Sequence, residues 1–247
     1  MRWNLLKSNL KPIQKITLTG LFIALAMIFQ KILAINYIPA LMFLRISFGG
    51  PAIIIFSSMF LGPFYGLAVG IFSDILGYFF LDPKMMGYAT QISAIYGVLG
   101  FVSCFIFYLF RHLKNDKMVI IVEGTIFDLI VVGVAIYFSY NYNLLYLPFI
   151  AAIFLTLLFI STVILNNFLK SDDLPISPIN ISLSCFVIEL TVMVIFGTLM
   201  KGWVFGFKSY PVILACQLVV LFINVLLNTW LITLFLKLTK RFYKKSV

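Results

Sequence analysis

The chain has 247 residues, of which 63% are hydrophobic and only 11% charged, with a net charge of +10. Soluble domains average about 45–50% apolar and about 25% charged residues, so this composition excludes a soluble enzyme or binding domain. It describes a polytopic, all-α membrane protein forming a single transmembrane domain over residues 1–247. The basic residues lie mostly outside the apolar runs, so the charge reports membrane topology and not nucleic-acid binding.

Apolar segments fall at 14–35, 51–62, 64–81, 89–110, 118–139, 146–169, 181–203 and 210–237. The second and third are parted only by Leu61-Gly62-Pro63, a tight-turn signal. Taken as eight helices, they put every one of the 18 Lys and Arg on one side except Lys31, Arg45, Lys84, Lys201 and Lys208. The positive-inside rule then predicts a multi-pass protein of the cell membrane with both termini cytoplasmic. The outer loops are the chemically rich ones: 36–50 is aromatic and carries Arg45, 81–88 is rich in Pro and Gly, and 201–209 mixes Lys, Gly, Trp and Phe. A soluble ligand is therefore expected to enter from outside.

In the third segment, GPFYGLAVGIFSD places Gly62, Gly66, Gly70 and Asp74 at steps of four. The glycines predict a bulk-free ridge against which another helix backbone packs closely. The same ridge carries Asp74 toward a helix–helix contact or cavity, where it either accepts hydrogen bonds from a ligand's donor edge or ties the bundle together. Tyr78 is one turn further on.

Other polar and aromatic residues have two readings each. Arg45 either pairs bidentately with a planar anion or snorkels to lipid headgroups. Tyr88 and Gln91, at the start of the fourth segment, are helix-capping groups or a pocket floor. Trp203 is an interfacial aromatic or a stacking platform. Gly20 and Ala24 form a small-xxx-small pair in the first segment. Asp128 falls deep within the fifth. The three cysteines, Cys104, Cys185 and Cys216, lack metal-site spacing and read as small hydrophobes. No metal site, cofactor or catalytic residue is expected. The signatures HExxH, GxSxG and GxxxxGK[ST] are all absent, which argues against an intramembrane enzyme or an ATPase.

Three stretches together carry a resemblance: Arg45-Ile46-Ser47-Phe48 before Pro51, Leu61-Gly62-Pro63-Phe64-Tyr65-Gly66, and Gly70-Ile71-Phe72-Ser73-Asp74 with Gly77. They resemble the S components of energy-coupling factor (ECF) transporters, most closely the folate-type branch. The likeness spans residues 14–111 and, more loosely, 181–237, where Gly197 stands in place of that branch's Asn. It implies a six-helix core, with 14–111 its first four helices and 181–237 its last two, and residues 115–175 an inserted helical hairpin. It further implies a subunit that binds a vitamin or related micronutrient, folate-like by preference, using Arg45, Phe48, Asp74, Tyr78, Tyr88, Gln91 and Trp203. Import would then need a T subunit and two ATPase subunits, with Gly20 and Ala24 facing the T subunit. The alternative is an autonomous secondary transporter of a small organic solute, which would need discontinuous helices around a midplane ion site.

Overall fold

Proline and glycine set where the helices begin and turn. A computed structural model of the chain describes residues 10–35, 46–47, 49–81, 88–110, 176–206 and 210–245, together with Thr125, Leu129, Gly133 and Ile136. Helix α1 (Pro12–Met27) starts on a proline, whose missing N–H costs nothing at a first helical turn. It runs directly into a π-helical segment, π1 (Ile28–Ile32). Two residue pairs then form a short antiparallel ladder, β1 (Ala34–Ile35) with β2 (Ile46–Ser47), joining Ala34 to Ser47 and Ile35 to Ile46.

Helix α2 (Gly50–Leu61) follows Gly49, which takes a left-handed φ of 88°. Gly62, at φ 112°, makes the whole turn into α3 (Pro63–Leu81). Its N–H donates to the Ser58 carbonyl at 2.9 Å while its own carbonyl accepts from Gly66 N–H at 3.0 Å, so neither peptide group is orphaned. Helix α4 (Thr90–Phe110) comes next. After it come α5 (Pro178–Ile188), capped by the Ser177 hydroxyl, a second π-helical segment π2 (Glu189–Phe196), and α6 (Gly197–Phe205). Helix α7 (Tyr210–Lys245) has 36 residues.

Among the described residues, four helices are long and apolar enough to cross a membrane: Pro12–Ile32, Pro63–Leu81, Thr90–Phe110 and Pro178–Val204. The protein is thus an all-helical, multi-pass membrane protein apart from the small ladder. Helix α2 differs in kind. Its 12 residues extend about 18 Å, against a hydrocarbon core of about 30 Å, and all of them are buried. It is a central helix sheathed by protein, not a lipid-facing span. Phe56 on α2 forms the middle of the core, edge-on to Phe22 of α1 at 5.8 Å between ring centroids and tilted against Phe235 of α7 at 5.3 Å.

Helix α3 packs directly against α4. A Cβ placed on Gly70 would strike the Tyr96 carbonyl, one on Gly100 would strike the Gly66 carbonyl, and one on Gly66 would lie 2.6 Å from the Gly100 oxygen. The four-residue spacing of α3 therefore meets small residues on α4, and the two backbones pack in direct contact. The stretch 115–175, for which the resemblance implies an inserted hairpin, lies with Asp128 outside the described residues except for Thr125, Leu129, Gly133 and Ile136, which are helical and exposed.

A buried charge cluster as candidate functional site

A lone carboxylate in such a core would cost several kcal/mol, so Asp74 must be compensated. Its partner is Lys31, on π1. The Lys31 ammonium lies 3.1 Å from Asp74 Oδ1, and both side chains are buried. The other carboxylate oxygen, Oδ2, accepts from the Ser93 hydroxyl of α4 at 2.6 Å. Ser93 has a single proton and gives it to Asp74, so the 2.5 Å contact between Ser93 Oγ and Tyr88 OH is one in which Tyr88 donates. Three elements thus hold a continuous chain, Lys31–Asp74–Ser93–Tyr88.

Local backbone explains why these groups meet. Gly77 leaves room for the Lys31 stem: a Cβ there would come within 2.8 Å of Lys31 Cε. Beside the polar chain stand three rings at the end of α3 and the start of α4. Tyr78 and Tyr88 are 5.1 Å apart, and Phe79 lies 5.4 Å from Tyr78 and 6.0 Å from Tyr88. The residue before Lys31, Gln30, is buried against Gly50, and neither its amide nitrogen nor its amide oxygen has a hydrogen-bond partner. An unpaired buried amide is costly, so this end of the bundle holds unspent hydrogen-bonding capacity.

The sequence-derived candidates divide as follows. Asp74, Tyr78 and Tyr88 come together in this cluster. Gln91 does not join it: its Oε1 accepts from Thr90 Oγ1 at 3.4 Å, and two residues of helix turn it about 200° from Ser93, which takes the inward position. Trp203 is 64% exposed on α6 and stands apart. Arg45 and Phe48 lie outside the described residues, although Arg45 directly precedes β2. Gly20 and Ala24 are on an exposed face of α1 with Ile13, Ile16 and Leu21, and nothing lies within 4 Å of a Cβ built at Gly20.

Lys31 and Gln30 escaped sequence reading because they close an apolar run and resemble an ordinary helix-end pair. The available signal was charge balance, since an intramembrane aspartate needs a cation. Glu189 has no polar partner near it in sequence to mark it out. It is 0% exposed near the middle of the Pro178–Val204 helix, and its Oε1 accepts from Asn228 Nδ2 of α7 at 2.6 Å. Among the described residues, both buried charges outside α3 thus sit in π-helical segments, which occur often at functional sites.

Among the described residues no group of three His, Cys, Asp or Glu side chains could hold a metal ion. No family model, curated protein or solved structure matches the chain.

Proposed function

We propose that this chain is the membrane-embedded, substrate-binding subunit of an ECF-type ATP-driven importer, which captures a vitamin-like micronutrient from outside the cell membrane. The observation that carries the reading is the buried Lys31–Asp74–Ser93–Tyr88 chain, flanked by aromatic rings and the unpaired Gln30 amide where α1 and α3 end and α4 begins. A cluster of this kind costs free energy to desolvate, and a membrane bundle that needed only packing would do better with apolar side chains.

Several further features support it. The helices Pro12–Ile32, Gly50–Leu61, Pro63–Leu81 and Thr90–Phe110, with α5–π2–α6 and α7, are six helical stretches among the described residues, the number that the resemblance implies for the core. With both termini cytoplasmic, the charge cluster lies toward the outer face, the side to which the sequence assigns Arg45 and Phe48. Asp74 then acts on a ligand through Lys31 and Ser93, while Tyr78 and Tyr88 face a flat ring and Arg45 receives an anionic tail. A folate-like molecule has that form. The exposed Gly20–Ala24 face of α1 suits close docking of the T subunit, and two ATPase subunits supply the energy.

The deciding experiment is mass spectrometry of the small molecule that co-purifies with the detergent-solubilised protein, followed by its titration into Lys31 and Tyr88 variants. A flat heteroaromatic anion whose affinity falls in both variants supports the reading. Ligand binding unchanged in both removes the cluster from the site. One observation favours the alternative of an autonomous secondary transporter, the fully buried Glu189 in a π-helical segment. Uptake by the chain alone, without ATPase subunits, would establish that alternative.

A further inference from the structure

The contact between π2 and α7 poses a charge problem of its own. Glu189 is fully buried, and one of its oxygens, Oε1, is satisfied by Asn228. Asn224 lies one helical turn before Asn228 on α7 and is buried too. Yet Glu189 Oε2 and Asn224 Oδ1 are both buried without a hydrogen-bond partner. With the carboxylate ionised both are acceptors, so the gap between them calls for a cation, a proton on Oε2 or the amide nitrogen of a turned Asn224.

We propose that Glu189 and Asn224 form the acceptor side of a buried monovalent cation site, of alkali-ion type, between π2 and α7. Such ions are held by carboxylate, amide and backbone carbonyl oxygens, and helix irregularities in membranes are where backbone carbonyls become available for them. When ionised, a carboxylate with the Asn228 donor on Oε1 keeps an open lone-pair direction on Oε2, which a small cation fills. The face of α7 that meets π2 is polar in the same region: Gln217, Asn224 and Asn228 share it with Leu221 and Ile232, all buried. The inference is independent of the proposed import function, because an ion here serves a carrier or an ATP-driven subunit equally.

The test is equilibrium binding of radioactive sodium to the purified full chain in detergent, with lithium, potassium and N-methylglucamine as competitors at constant ionic strength. Saturable, stoichiometric binding is expected, abolished in Glu189→Gln and weakened roughly 10- to 150-fold in Asn224→Ala. Thermal unfolding should shift upward with sodium in the wild type and not in Glu189→Gln. No saturable binding to the wild type overturns the proposal whatever the variants do. So does binding that persists in Glu189→Gln. A stabilisation that follows pH in sodium-free buffer, with no response to sodium, assigns the charge to a proton and overturns the cation site as well.

Discussion

Lys31 reaches Asp74 across the α1–α3 contact because residue 77 has no side chain: the ammonium stands 3.1 Å from the carboxylate while the lysine stem passes where a Cβ at Gly77 would be. The pair joins residues 43 positions apart and fixes the π-helical end of α1 against α3. Removing either charge strands the other in a low-dielectric core.

The first prediction follows from that stranding. Lys31→Met and Asp74→Leu should each destabilise the protein by about 3–5 kcal/mol, while the double variant should recover most of the loss. Thermal unfolding of the four proteins in detergent gives the coupling as a double-mutant cycle. Additive losses would mean that the pair is not coupled in the membrane-folded state.

The glycines of the α3–α4 contact should be far less tolerant than that of α1. Gly70→Ala and Gly100→Ala push a methyl into a carbonyl of the facing helix, where overpacking costs about 1–3 kcal/mol and a rigid backbone cannot yield cheaply. Gly20→Ala meets open space and should be neutral or slightly stabilising, since alanine is the better helix former. Parallel unfolding measurements on the three variants check the ranking.

Tyr88→Phe keeps the ring stack with Tyr78 but removes the donor to Ser93. A loss of about 0.5–1.5 kcal/mol in stability is expected. If the ring and hydroxyl also meet the ligand, Tyr88→Phe should weaken binding less than Tyr88→Ala, as measured by titration of the co-purified molecule.

Labelling of single cysteines should place Ser47 outside and Asn115 inside, as both termini in the cytoplasm require. On the same topology, Gly20→Leu with Ala24→Leu should leave thermal stability unchanged, because that face is exposed, while reducing capture of a T subunit and ATPases in a pull-down. Full capture by the double variant would exclude this face as the docking surface.

The sequence by itself determined the class of the protein and most of its described helices. Apolar runs long enough to span a bilayer, parted by Gly and Pro, do not fold in any other way, because unsatisfied peptide groups are too costly in hydrocarbon. The Leu61-Gly62-Pro63 turn and the role of Gly66 and Gly70 were also readable, since both depend on residues near in sequence and on the absence of a side chain. Only the tertiary structure decided the rest. Nothing local to Pro51–Leu61 distinguishes a short span from a helix buried on every side, because both are uniformly apolar. Lys31 looked like a helix-end lysine until α3 presented Asp74 to it, and Ser93, not Gln91, faced inward once the phase of α4 was fixed. The buried meeting of Glu189 with Asn224 and Asn228 joins residues more than thirty positions apart. Charge pairing in a membrane core depends on which helix faces which, and that is set by packing of the whole bundle and not by any one segment.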